Sequence, residues 1–431
     1  MPEKRNIVLI TLDSVRADHC SFMGYHRETT PNIDRMARKG LYFENAIASG
    51  VGTPASVICI FTGDYAPVDP METNPHPWRR VLSQRKTLAQ VLSKKGYHTG
   101  AFNPNVFVSS YFGFNKGFEY FQDFISSGRY LDKLYYKILD KVTKSGKRGL
   151  ASILRNVRNL ILKEEIFKPW EAYYDQIIDW IEKVREPYFL WILLLDTHYP
   201  YLAPRKFRKW SNFFDMWYYN WKVQKGNWNP NFSEKEGQKL INTYDNSINY
   251  ADTFVNNLWK DLKDRDPIFI IHADHGEGFG EHNFYGHQPY LYEEIIHIPL
   301  VIYNADVKGR VKEPAPLIGL APAILELIRE ENQFPSESFL DGGKCWVITE
   351  IFSHGKIKIA VRMKDWKFIT GQKDEDELYN LKDDPFEKEN LIHEHPELAK
   401  EMKKIAENHI KREIEINRIR TITKSLKSVR I

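Results

Sequence analysis

A mostly parallel α/β sheet flanked by helices is the fold class this sequence predicts, and three observations predict it. Short continuous apolar runs end in polar residues, as buried parallel strands do. They alternate with segments that carry helix start and stop signals. Acidic and imidazole side chains collect where the runs end, which is where ligands bind in open α/β sheets.

The elements follow in chain order. NIVLITLD (Asn6–Asp13) has the pattern of a buried parallel strand. TTPNIDRMARKG places Pro31 at a helix start and Gly40 at its stop. LYFENAIA is strand-like, and RKTLAQVLSKKGYHTGAFN predicts helix, a turn at Gly96, then strand. PYFLWILLLDTHYPY is a second buried strand, and DPIFIIHADHGEGFGEH a third that runs into an acidic, His-rich turn. Asp13, Asp196, His198, Asp274 and His275 all fall at predicted strand ends. From about Lys344 onward the pieces KCWVITEIF, KIKIAVRM and WKFITG predict a small antiparallel subdomain closed by helix. The expected division is a catalytic α/β domain over 1–343 and a C-terminal subdomain over 344–431. Two segments look inserted: a basic helical one at about 126–186 and an aromatic one at about 205–231.

Bulk numbers exclude several classes. The chain has 431 residues, 42% of them apolar and 14% aromatic, which supports a large core and excludes disorder. A net charge of +4 gives no argument for a nucleic-acid partner. Three widely spaced cysteines (20, 59 and 345) make neither a disulfide framework nor a thiolate zinc site. The apolar run after the basic start is about seven residues long and meets an Asp without a small-residue cleavage site. No apolar stretch approaches the ~20 residues of a membrane span. A cytoplasmic protein is therefore expected, with peripheral membrane contact left open.

The densest chemistry lies in ADHGEGFGEHNFYGH (Ala273–His287), directly after a buried strand. Carboxylates and imidazoles in one Gly-broken turn suit a transition metal such as zinc or manganese better than calcium. The plain alternative is a solvated loop. Asp13 is either a helix N-cap or a ligand. His198, in LLLDTHYPY, is open as a metal ligand, a phosphate-binding cation, a general acid or a turn histidine.

Together these blocks carry a resemblance. NIVLITLDSVRADHCSFMGY, TTPNIDRMARKGLYFENAIA, TPASVICIFTG, LDTHYPY, ADHGEGFGEH and the C-terminal ELYNLKDDPFEKENL resemble, in order, the motifs of the sulfatase family in the alkaline phosphatase superfamily. The resemblance spans about Asn6 to Leu391 and implies an alkaline phosphatase-like fold. It also places the nucleophile ten residues before the Gly of a Thr-Gly pair, which counts back from Gly63 to Thr53. True sulfatases carry Cys or Ser there, in a C/S-x-P-x-R motif that is oxidised to formylglycine. This chain reads Thr53-Pro54-Ala55-Ser56-Val57, so the Cys and Arg are absent and Thr cannot give the aldehyde. Cys59 lacks that context and reads as a buried apolar residue. Where sulfatases carry G-K-W-H, the chain has Asn103-Pro104-Asn105-Val106.

What remains is similar to the phosphoryl-transferring branch, which uses an unmodified Thr. The resemblance implies one tightly held divalent metal on Asp13, Asp274 and His275, with Thr53 completing the shell. A second ion is expected only if substrate brings it, because D-x-H stands at Asp196–His198 where two-metal relatives have D-x-x-x-H. His287 has the spacing of the substrate histidine of phosphoethanolamine transferases, so His198 and His287 would flank the phosphate and protonate the leaving group. Glu277, Glu281 and His282 are reserve candidates, more simply read as solvated loop positions. A metal-dependent hydrolase or transferase of phosphate or sulfate esters is thus expected, acting on a small-molecule, glycan or lipid-head-group ester. A sulfatase proper and a non-catalytic binder of an anionic glycan or lipid are the alternatives.

Two peripheral features complete the reading. LASILRNVRNLILK puts an apolar stripe (Leu150 to Ile161) beside four cations, which suits either an anionic membrane surface or a lid over the core. The tail beyond Ile416 carries Arg418, Arg420, Lys424, Lys427 and Arg430 without an acid, as a solvated helix end or a contact to phosphate-rich surfaces.

Overall fold

The computed structural model describes residues 4–66, 68–69, 72–124, 168–353, 355–373 and 375–428. Most of the basic insert, including the stripe at 150–161, lies outside the described residues, as do Arg430 and the side chains of Lys424 and Lys427.

Counting only the two larger sheets, the strands are β1 (Ile7–Leu12), β2 (Leu41–Phe43), β3 (His98–Phe102), β4 (Tyr120–Gln122), β5 (Tyr188–Leu194), β6 (Ile268–Ala273), β7 (Leu300–Tyr303) and β8 (Gly309–Val311). The C-terminal strands are β9 (Trp346–Ser353), β10 (Lys356–Met363), β11 (Trp366–Thr370) and β12 (Glu377–Asn380). The large sheet has the order β8-β2-β7-β6-β1-β5-β3-β4. Only β7 runs against the other seven strands. The sheet is therefore mixed but mostly parallel.

Every side chain of β1, β5 and β6 is buried, which is why their sequences are near-continuous apolar runs rather than alternating ones, with the buried Thr11 and His272 side chains hydrogen-bonded to each other at 3.1 Å. The register sets Leu12 opposite both Leu194 and Ala273. Asp13 and Asp274, the next residues, thus leave two adjacent strands side by side. That pairing alone brings together two carboxylates 261 positions apart in sequence.

Five helices matter for the site: α1 (Pro31–Lys39), α2 (Thr53–Thr62), α3 (Phe213–Lys225), α4 (Glu234–Leu262) and α5 (Pro396–Ser428). Pro31 opens α1 in the first turn, where its missing N–H costs nothing. Ser233 and Glu236 form a reciprocal capping box at the head of α4. All ten residues of α2 are buried, and Phe61 packs against Trp191 of β5 at a ring separation of 4.7 Å. α3 occupies the aromatic insert and packs on α4.

LYFENAIA departs from the expected single strand. Leu41–Phe43 joins the large sheet, while Ala46–Ile47 joins a separate three-stranded sheet with His297–Ile298 and Ala315–Pro316. The polar Glu44–Asn45 pair between them breaks the run: the Glu44 N–H donates to Val311, and the Asn45 amide to Lys312.

β9–β12 form an antiparallel sheet in chain order, covered by α5 and holding its own apolar cluster around Phe368, Val361 and Met402. This sheet braces the segment that leads into α2. Thr349 Oγ1 donates to the Ala48 carbonyl at 2.6 Å, and the Glu350 N–H to the Ser49 carbonyl at 3.3 Å. A buried ion cluster adds to the contact: Lys367 Nζ lies 3.1 Å from Glu293 and 2.7 Å from Glu387. A lysine without solvent access has to be paired in this way.

Candidate active site

Thr53 stands first in α2, after Gly52 with φ at 78°, a conformation that glycine adopts without steric cost. Its hydroxyl therefore sits at the helix N-terminus, where unsatisfied N–H groups and the helix dipole favour an anion. Thr53 Oγ1 lies 3.3 Å from Asp13 Oδ2 and 3.4 Å from His275 Nε2.

Asp13 is fully buried and held on several sides. Ser14 Oγ donates to its Oδ1 at 2.9 Å, and Asn105 Nδ2 donates to its Oδ2 at 3.0 Å. Thr197 Oγ1 fixes its carbonyl at 2.6 Å. Ser14 takes a positive φ of 62°, which turns its N–H onto Asp274 Oδ1 at 3.1 Å. The His275 N–H donates to that same oxygen at 2.9 Å. His275 Nδ1 faces the Gly276 carbonyl at 2.8 Å. A carbonyl oxygen only accepts, so Nδ1 carries the proton and Nε2 keeps its lone pair for the site. Nε2 lies 3.8 Å from Asp13 Oδ1 and 3.6 Å from Asp274 Oδ2.

These residues fit a divalent cation. Ligand atoms of Asp13, Asp274 and His275 all lie within 4.8 Å of one another, and all three residues are buried. Asp274 Oδ2 has no hydrogen-bond partner among the described residues. Two buried carboxylates that converge on an imidazole lone pair need a positive charge between them. The electrostatics tell the same story. Burial raises the Asp274 carboxyl well above its ordinary range, and the charge of Asp13 raises it further. Burial also raises Asp13, but His198, His275 and His287 together outweigh it and hold that carboxyl low. Burial lowers His275, the direction that favours the neutral imidazole a metal ligand needs.

His198 and His287 border this cluster. Their ring centroids are 5.0 Å apart, and His287 lies 4.7 Å from His275. His198 Nδ1 donates to the Tyr199 carbonyl, and His287 Nδ1 donates to Glu277 Oε1 at 3.3 Å. In both contacts it is Nδ1 that is engaged. Tyr199 is anchored to α3 through its hydroxyl, which donates to the Asn220 carbonyl at 2.6 Å, and its ring meets Trp228 at 4.6 Å.

The six sequence-predicted residues thus converge, whereas the reserve candidates take other places. Glu277 is not solvated: it is fully buried beneath His287, with Oε2 unpartnered among the described residues. Glu281 pairs with buried Arg16, and His282 bonds Glu294 and stacks on Tyr292 at 3.6 Å. Asn105 escaped the sequence reading. Its only signal was that it stands in the block where sulfatases carry G-K-W-H. Cys59 is buried inside α2, and burial pushes its thiol up, away from nucleophilic character.

The sequence pattern of the Sulfatase family matches residues 5–329. The chain is similar to the arylsulfatase of Clostridium perfringens (strain 13 / Type A), 24% identical over 90% of each chain. It is also similar to the phosphoethanolamine transferase EptA of Escherichia coli O157:H7, 23% identical over 66% of this chain and 43% of that one. In fold it is similar to the phosphonate monoester hydrolase of Agrobacterium radiobacter, with a TM-score of 0.69, 17% identity and 96% of each chain covered. With three quarters of its length matched, the chain belongs to the Sulfatase family and is an ester hydrolase or transferase of the alkaline phosphatase superfamily.

Proposed function

We propose that this protein cleaves phosphate esters through Thr53, with a covalent phospho-threonine between two half-reactions. The observation that carries the reading is the Thr53 hydroxyl, held against Asp13 and His275 at a helix N-terminus, in a segment without the formylglycine motif. A divalent cation held by Asp13, Asp274 and His275 would lower the pKa of that hydroxyl and offset ester charge. Zinc or manganese suits this carboxylate and imidazole set better than calcium.

The Thr53 hydroxyl releases its proton to solvent as Oγ attacks phosphorus, and the bond to the leaving oxygen breaks. His287 or His198 supplies that oxygen with a proton from Nε2. Water or an alcohol then attacks phosphorus, the Thr53 oxygen leaves and takes a proton back from solvent, and the histidine recovers its own proton from the incoming group. The N-terminus of α2 stabilises the anionic phosphoryl oxygens throughout. The substrate is a phosphodiester of a small molecule, a glycan or a lipid head group. Whether water or an acceptor alcohol completes the cycle distinguishes hydrolase from transferase.

Intact-protein mass spectrometry tests this. Metal-loaded enzyme is mixed with an aryl phosphodiester and, separately, with an aryl sulfate, beside Thr53→Ala. A phosphoryl adduct that is absent in the variant is expected. Product from the aryl sulfate alone would restore the sulfatase reading.

A further inference from the structure

One surface beside the site has no role in that chemistry. α3 turns two arcs in different directions. Met216, Asn220 and Val223 are buried against the body of the protein. Phe213, Phe214, Trp217 and Trp221 are 63%, 64%, 55% and 38% exposed. Large aromatic side chains exposed on neighbouring turns are costly in water and mark a surface that meets something else.

Charge says what that is. Residues 205–225 carry Arg205, Lys206, Arg208, Lys209, Lys222 and Lys225 against a single acid, Asp215, which Lys239 neutralises at 2.6 Å; Lys222 pairs with Glu236 at the head of α4, and the other five cations outnumber the acids. Aromatics ringed by cations are the make-up of a helix lying in the headgroup layer of an anionic bilayer. None of the described helices is long and apolar enough to cross a membrane, so such contact is at the surface.

The ring arrangement favours a lipid surface over a sugar. A sugar stacks on an open aromatic face. Here Phe214 lies parallel to Tyr218 at 5.6 Å and Trp217 parallel to Trp221 at 6.2 Å, so faces meet one another along the helix. Arg208 covers Phe213, and Lys225 covers Trp221. The exposed rings are thus paired with one another or with cations, which suits insertion among headgroups better than stacking on a sugar.

We propose that α3 docks the protein on an anionic lipid bilayer and so brings a lipid headgroup ester to the site. The docking itself stands on α3 alone; the headgroup ester rests on the function proposed above. The link is direct, because the Tyr199 hydroxyl and the Tyr201 N–H both bond Asn220 of α3, next to His198.

The test is co-flotation of the full chain with vesicles of phosphatidylglycerol and phosphatidylcholine, against phosphatidylcholine alone. The double variant Phe214→Ser/Trp217→Ser runs in parallel, and each sample is also assayed on a soluble aryl phosphodiester. Wild type is expected to float with the anionic vesicles only, and less at high salt. The variant should lose about tenfold or more of its bound fraction, since two interfacial aromatics are removed. Its turnover of the soluble ester should be unchanged, which also reports that it folds. Equal flotation of wild type and variant, or no flotation of wild type, would overturn the docking. Binding of a soluble sulfated oligosaccharide that the variant loses, without vesicle binding, would assign α3 to a glycan instead. Vesicle binding without turnover of any phosphate ester would leave the docking intact and refute only the function above.

Discussion

Asn105 donates its side-chain amide, at 3.0 Å, to the same Asp13 oxygen that faces the Thr53 hydroxyl. That oxygen therefore has a fixed orientation before any cation or substrate arrives. Asn105 is itself locked: its N–H donates to Asn103 Oδ1 at 2.9 Å, and its own Oδ1 accepts the Phe107 N–H at 3.0 Å. Groups that orient a metal-binding carboxylate typically contribute 10- to 100-fold to affinity or activity. Asn105→Ala is expected to lower kcat/KM on an aryl phosphodiester by roughly that range at limiting metal, and excess metal should recover part of it. A metal titration of wild type and variant checks this; an unchanged metal dependence would remove Asn105 from the site.

Chelation should destabilise the fold. Without a cation, Asp13 and Asp274 keep two carboxylates buried side by side, one oxygen unpartnered. A cation at 100 times its Kd adds about 2.7 kcal/mol to folding stability. Thermal unfolding with a chelator should therefore give a lower midpoint than with zinc or manganese. Asp274→Asn removes one of the two charges, so its midpoint should hardly respond to the chelator. Equal responses in the two proteins would count against the site.

These two carboxylates also show how far the sequence could be read. Apolar runs revealed β1, β5 and β6, and Asp13, His198, Asp274 and His275 just beyond them border the site, whereas Asp196 turns away to accept the Trp170 N–H at 3.1 Å. Adjacent strand ends then needed no further information. Asn105 was different, because a lone Asn after a strand has the local chemistry of a turn, and the oxygen it bonds belongs to a residue 92 positions away. Glu277 was misread because its neighbours are glycines and acids. Its burial comes from Tyr285–Gly286 folding back to pair with Gly278–Phe279, a tertiary event with no trace in hydropathy. Splitting LYFENAIA between two sheets likewise depends on partners beyond position 297.

Glu277 should act through His287. Its Oε1 accepts from His287 Nδ1 at 3.3 Å, and no solvent reaches the carboxylate. If His287 gives a proton to the leaving oxygen, poor leaving groups need it and nitrophenolate does not. Glu277→Gln and His287→Ala should each slow an alkyl ester by roughly 100-fold while slowing a nitrophenyl ester far less. Leaving-group dependence in the two variants measures this. Equal losses on both esters would make Glu277 a structural residue.

The contribution of Asp252 to stability should fall as pH rises from 4 to 7. On α4 its carboxyl accepts the N–H groups of Asn32 and Ile33, at 3.1 and 2.8 Å, and so caps the first turn of α1. Burial nevertheless pushes it up from 3.8 to about 7, outweighing those bonds, and Asp34 nearby adds to the rise. Between these values the folded protein holds a proton that the unfolded chain has released. The contribution is complete below the unfolded value and disappears as pH climbs through the folded one, at roughly 1.4 kcal/mol per pH unit. Asp252→Asn cannot titrate. The midpoint of wild type minus that of the variant should therefore decrease steadily from pH 4.5 to 7 and level off above 7.5. A difference that stays constant across this window would mean that Asp252 is ionised in the folded protein, with helix capping outweighing burial.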